Sequence, residues 1–563
     1  MRRFLVLMIL VLAAVTGAGS ASRAQVARPV MVVAANPKAV DAGLEILRHG
    51  GSALDAAIAV QMVLAVVEPQ ASGLGGGGFL LYYDRAQGRI TAYDGRETAP
   101  HGATPELFLD PDGKPLAFPE AVLGGASVGV PGLLRMLAMA HARHGRLEWA
   151  QLFAPAIALA ESGFEVPPRL GRALAQERAL QRSEEARAIY FSPGGEPRRI
   201  GERITNPPLA ATLRTVMSEG AAAFYSGPIA EDIVRAVSGA RRPGSLSLDD
   251  LAKYRPVVRE AVCGTYRQWR LCGMPPPSSG PLAVLQALGM LERFDLARDK
   301  PNSLRSVHLI AEASRLAFAD RARFVGDPDF VRVPAQAMLD PAYLAQRSAL
   351  IDEERSMRHA EPGTPVPDLN YRHDEGPSEI PATSHMVIVD AAGNVVTFTT
   401  TIEAVFGSRL FVRGMLLNNE LTDFSFAPRQ GERLLANRVE AGKRPRSSMA
   451  PMLAFDRSGE LVLAIGSAGG SRIIGDVLQA TIGVLDWNLS MQEAVALPRV
   501  SNQNAATEIE NIAPLNALAE PLRVLGHAVE LRAHEGGLAG IRWVDGAPQG
   551  GADPRRDGVA RGN

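Results

Sequence analysis

Apolar positions recur at helical spacing near Val40, Leu44 and Leu47, and the pattern stops at Gly50-Gly51, which predicts a helix closed by glycine. Ser52, with Asp55 three residues on, has the form of an N-cap. The helix it opens, Ala53 to Val67, is apolar almost all round and should be buried. Phe79–Tyr83 and Ile90–Asp94 read as a strand pair. Stretches from Pro131 to about Gln181, Asn206 to Val237 and Ser303 to Arg323 carry Leu and Ala at helical spacing. Asp352 to Pro381 then turns polar and proline-rich, which predicts a mobile segment. At Thr383 the pattern changes again. An apolar run follows the threonine, then a turn from Asp390 to Asn394, then a second strand-like run from Val395 to Ile402.

The glycine run Gly73 to Gly78 would suit a phosphate cradle, but no Lys-Ser or Lys-Thr closes it and a strand, not a helix, follows. Close backbone packing in a sheet is the better account. The ten histidines form no His-Glu-x-x-His or similar spacing, so His308 reads as a structural or surface histidine and no metal is expected. With 59 Lys+Arg against 60 Asp+Glu, the chain has no cationic footprint for nucleic acid or an anionic membrane. Met1-Arg2-Arg3, an apolar run from Phe4 to Val15 and small residues to Ala24 describe an export signal over residues 1–24, too short for a stable membrane span. A periplasmic or secreted location is therefore expected. Cys263 and Cys272 would face each other if Arg267-Gln268 form a hairpin turn. An exported protein could oxidise them, but geometry decides that, not sequence.

The stretch Thr383-Ser384-His385-Met386-Val387-Ile388-Val389-Asp390, continued by Thr399-Thr400-Thr401-Ile402-Glu403 and Asn418-Asn419-Glu420-Leu421-Thr422-Asp423, resembles the start of the small subunit of the γ-glutamyltranspeptidases. These are N-terminal-nucleophile hydrolases, made as one chain that cuts itself before a threonine. Leu74 to Phe79, Lys443 to Met449, Gly466-Ser467-Ala468-Gly469-Gly470 and the Gly551 to Arg556 tail extend the similarity over nearly the whole chain past the leader.

The resemblance implies an α+β fold, a four-layer αββα sandwich in which a large subunit (25–382) and a small subunit (383–563) intertwine as a heterodimer. It implies no cofactor, and it implies cleavage between Ala382 and Thr383. A freed α-amino group beside the Thr383 hydroxyl is then a nucleophile and base in one residue. By the same resemblance Thr401 orients Thr383, and Gly469 and Gly470 form the oxyanion hole. Arg96, Ser447 and Ser448 hold a substrate α-carboxylate, while Glu403, Glu420 and Asp423 hold its α-ammonium. A guanidinium fork suits a carboxylate, and a buried ammonium needs several acceptors. Two departures are mild: glutamate at 403, where many members have asparagine and others glutamate, and Ala468, where proline is usual and its absence should not abolish the oxyanion hole. The segment Phe424 to Arg446, where some members carry a lid, is of intermediate length and has no tyrosine.

The expected activity is attack on a γ-glutamyl amide such as glutathione, followed by hydrolysis or by transfer to an amino acid or dipeptide. Two alternatives remain. One is a related acylase acting on glutaryl or cephalosporin side chains or poly-γ-glutamate. The other is an unprocessed, non-catalytic binding relative.

Overall fold

Strand-forming runs on both sides of Thr383 meet in one pair of sheets. The computed structural model describes residues 28–369, 371–372 and 382–562. The leader and residues 373–381 of the polar segment lie outside that range. In chain order the strands of the two large sheets are β1 (Met31–Ala34), β2 (Gly77–Asp84), β3 (Arg89–Asp94), β4 (Val257–Arg259), β5 (Val262–Tyr266), β6 (Trp269–Gly273), β7 (Ser384–Val389), β8 (Val395–Thr401), β9 (Met452–Phe455), β10 (Leu461–Gly466), β11 (Ala539–Val544), β12 (Ala547–Ala552) and β13 (Val559–Gly562). The first sheet runs β13-β1-β7-β8-β2-β3-β4 and the second β12-β11-β10-β9-β6-β5.

Both faces of β7 are covered, so it reads as a continuous apolar run rather than an alternating one. Met386 and Ile388 pack toward the helices α1 (Pro37–Arg48) and α2 (Ala53–Val67). Val387 and Val389 face the second sheet, whose far side carries α3 (Gly280–Leu291) and α5 (Arg472–Leu485), with α4 (Leu304–Phe324) against α3. The order helix, sheet, sheet, helix is the expected four-layer αββα sandwich.

Local signals explain the elements that frame the site. Asn36 caps α1, and Ser52 with Asp55 forms a complete capping box on α2, every residue of which is buried. A Cβ on Gly76 would lie 2.0 Å from the Thr401 carbonyl oxygen, and one on Gly75 2.3 Å from that of Leu416. The glycine run thus lets β2 and its lead-in approach β8 and the 416–418 segment closely. The hairpin turn falls at Arg267-Gln268, Cys263 pairs with Cys272 in register, and their sulfurs are bonded.

The stretch from Asp352 differs from expectation in its first half. It has no regular secondary structure, yet it is pinned. Glu312 accepts from the Met357 amide at 2.7 Å, Asn504 from that of Ala360 at 2.8 Å, and Asp320 from that of Gly363 at 2.7 Å. Buried polar side chains replace the ladder bonds an irregular backbone lacks, and these long-range partners leave no local signal.

Candidate active site

Thr383 sits at the entry to β7 and Thr401 at the end of the neighbouring β8. Their hydroxyls lie 3.0 Å apart. The Glu403 amide donates to Thr401 Oγ1 at 2.8 Å, which fixes that hydroxyl. Thr383 is buried and holds φ at +75°. A β-branched residue in the left-handed region carries strain of about 1–3 kcal/mol. Arg556 bridges this junction, donating from Nη1 to the Thr383 carbonyl at 2.8 Å and from Nη2 to that of Ala382 at 3.4 Å. Burial, with Arg169 nearby, lowers Arg556 to about 10, so it stays charged at neutral pH.

A small opening leads away from Thr383, lined by Arg96, Thr401, Glu403, Glu420, Asp423, Ser447, Ser448, Met449, Gly470 and Ile473. The structure therefore gathers the sequence-derived site residues around one hydroxyl, with Gly469 next in chain to Gly470. One detail differs. Arg96, expected on a carboxylate ligand, forms ion pairs with Glu420 and Asp423 and donates to the carbonyls of Pro445 (3.2 Å) and Arg446 (3.0 Å). Buried opposite charges satisfy one another, a preference that residue types alone do not reveal. Glu420 Oε2 and Asp423 Oδ1 are buried and without a hydrogen-bond partner. Asn419 donates from one side-chain amide to Glu403 and to Thr422 Oγ1, and so aims Glu403.

Ser447 Oγ accepts from the Met449 amide at 3.1 Å, and Ser448 Oγ from Arg321 Nη2 at 2.7 Å. Gly469 (φ +140°) and Gly470 (φ +61°) adopt backbone that other residues avoid, and they immediately precede α5. Their amides thus lie at the positive end of a 14-residue helix. Alanine at 468 leaves this turn intact.

Four contributors escape local reading. Arg321 and Asn419 act through residues that were identified. Arg556 belongs to the quoted tail, but only the fold brings it to residue 383. Glu97, beside Arg96, is fully buried with neither carboxyl oxygen bonded, and burial raises it to about 8. Outside the site, α4 and the turn before Val529 bring His308, Glu312 and His527 together. The ring nitrogens bond one another (2.7 Å), the Asp352 carbonyl (2.7 Å) and Thr507 Oγ1 (2.9 Å), so the cluster works as a hydrogen-bonded wedge. The segment from Phe424 folds into a short exposed hairpin at 429–434, anchored where Phe426 stacks on Phe108 at 4.7 Å.

A threonine at the head of a central strand, an αββα sandwich and glycine amides at a helix start define an N-terminal-nucleophile hydrolase type of protein. The γ-glutamyltranspeptidase family profile matches residues 39–563. A Bacillus subtilis (strain 168) protein named glutathione hydrolase proenzyme is 37% identical over 546 residues, 94% of this chain and 91% of its own. An acylase ACY 1 proenzyme from Pseudomonas sp. (strain SE83) is 36% identical over 538 residues, 94% and 92% of the two chains. The crystal structure of a Bacillus halodurans cephalosporin acylase superimposes with a TM-score of 0.82 at 27% identity, covering 98% of this chain and 99% of that one. The chain belongs to the γ-glutamyltranspeptidase family.

Proposed function

We propose that this protein is a γ-glutamyltransferase and glutathione hydrolase that cuts itself before Thr383. The carrying observation is the pair of unsatisfied buried oxygens, Glu420 Oε2 and Asp423 Oδ1, in the opening beside Thr383. A substrate α-ammonium would satisfy both, and its α-carboxylate would take Arg96, Ser447 and Ser448. A free amino acid head is what a γ-glutamyl donor has and a glutaryl group lacks.

In the cut protein the Thr383 amine accepts the Oγ1 proton as Oγ1 attacks the γ-carbonyl. Gly469 and Gly470 amides stabilise the oxyanion. The amine product leaves with the proton, and a γ-glutamyl ester remains on Thr383. Water hydrolyses that ester to glutamate, or an amino acid or dipeptide amine takes the glutamyl group. No cofactor enters these steps. The two segments stay together as a heterodimer, and the leader directs export to the periplasm or medium. Cell fractionation of the full-length protein tests that location.

The acylase relatives make the second reading concrete, since they are named as acylases and one is named for cephalosporin. Kinetics on γ-glutamyl and glutaryl p-nitroanilides separate the two. The γ-glutamyl compound should be preferred by about 10³-fold or more in kcat/KM, because a site built to pair a polar group rejects the analogue lacking it. A preference for the glutaryl compound would overturn the reading.

A further inference from the structure

The turnover chemistry above leaves Arg556 without a task, yet Arg556 holds the bond that must break. Its two terminal nitrogens donate to the carbonyls of Ala382 and Thr383, the residues on either side of the cut. The arginine is buried, and its Nε has no partner. Among the described residues no carboxylate lies within ion-pair distance of it. A buried guanidinium is normally compensated by an anion. Here Glu68, Glu535 and Asp553 act on it only from beyond contact distance, and its two terminal nitrogens face neutral carbonyl oxygens instead. The backbone between those oxygens is the strained one, at Thr383 φ +75°.

We propose that Arg556 is a catalytic residue of the maturation cut, taking the negative charge that develops on the Ala382 oxygen. The proposal rests on the self-cleavage reading and assigns one of its steps. Thr383 Oγ1 forms a bond to the Ala382 carbonyl carbon, and the carbonyl electron pair moves to the oxygen facing Arg556 Nη2. The Oγ1 proton passes, by way of the neighbouring Thr401 hydroxyl, to the Thr383 nitrogen. The C–N bond breaks, leaving an Ala382 ester on Oγ1 and a free α-amine. Water then adds across the ester, giving the Ala382 carboxylate and restoring the Thr383 hydroxyl. Cleavage frees the Thr383 backbone from its left-handed constraint, which favours the forward direction. The glycine amides at 469–470 serve the later reaction with substrate; Arg556 serves the first cut, when the acyl group is the protein's own.

The test follows conversion of the newly made full chain into two fragments, by gel and intact mass, for wild type, Arg556→Ala and Arg556→Gln. Both variants should cut slower by a factor on the order of 10²–10³, the usual effect of removing one oxyanion donor. Added guanidinium or methylguanidinium chloride should accelerate Arg556→Ala in a saturable way and leave Thr383→Ala whole. The glutamine variant keeps more of the side chain than alanine does, without the charge, and carries the comparison if the alanine variant misfolds. Cutting of either variant at the wild-type rate would overturn the proposal. So would slow cutting in a variant with wild-type circular dichroism and melting that guanidinium does not relieve, since that assigns Arg556 to packing. A wild-type chain that never cuts contradicts the self-cleavage reading itself, a separate failure.

Discussion

Thr383 and Glu97 are buried, as is Oδ1 of the half-buried Asp423, and each derives its behaviour from what burial leaves unsatisfied. Asp423→Asn keeps the shape of the site but removes a charge from the oxygen pair facing the opening. KM for γ-glutamyl p-nitroanilide should rise by at least about tenfold, as expected for loss of one charged hydrogen bond, while cleavage before Thr383 proceeds. Glu97 gives a pH prediction. Burial raises its carboxyl from 4.5 to about 8. Between those values the folded chain holds a proton that the unfolded chain has lost, so stability falls as pH rises through that window. Glu97→Gln mimics the protonated form. Urea melts should show variant and wild type alike near pH 4.5, with the variant more stable by a few kcal/mol, to order of magnitude, at pH 9. The residues gathered around Thr383 fall in short runs, such as Asn418 to Asp423, and the family resemblance singled them out. Glu97 and Arg556 were not legible in this way, since nothing local says that a charged side chain will be buried without an opposite charge.

At the scale of elements, signals carried by neighbouring residues survived folding well. The Ser52–Asp55 capping box, the apolar α2 and the 267–268 hairpin all depend on residues a few positions apart. The polar segment from Asp352 was misjudged as mobile through Gly363 because Glu312, Asp320 and Asn504, which hold it, are distant in sequence. The glycine run shows how an element can serve the site without touching substrate. Gly76→Ala would push a methyl group against the Thr401 carbonyl. It should cost about 1–3 kcal/mol of stability, as overpacked cores do. Because β8 carries Thr401, it should also lower kcat more than it raises KM. Chemical denaturation and steady-state kinetics on the same preparation check both effects.

Across the whole molecule, strands from before and after Thr383 share both large sheets, with β1 between β13 and β7 and with β9 paired to β6. A cut at 382–383 therefore divides the covalent chain without dividing either sheet. The two fragments should co-elute on gel filtration and separate only in denaturant. This intertwining could be expected from resemblance but not from periodicity, which is blind to which strands pair. The central claim is that Thr383 becomes a free N-terminal nucleophile. It is tested most directly by intact mass and N-terminal sequencing of the purified protein beside Thr383→Ala, with a γ-glutamyl p-nitroanilide assay on each. The account predicts two chains, the smaller beginning at Thr383, with activity, and a single inactive chain for the variant. A wild-type protein that stays whole and inactive, or a Thr383→Ala chain that still cuts and turns over substrate, would contradict it.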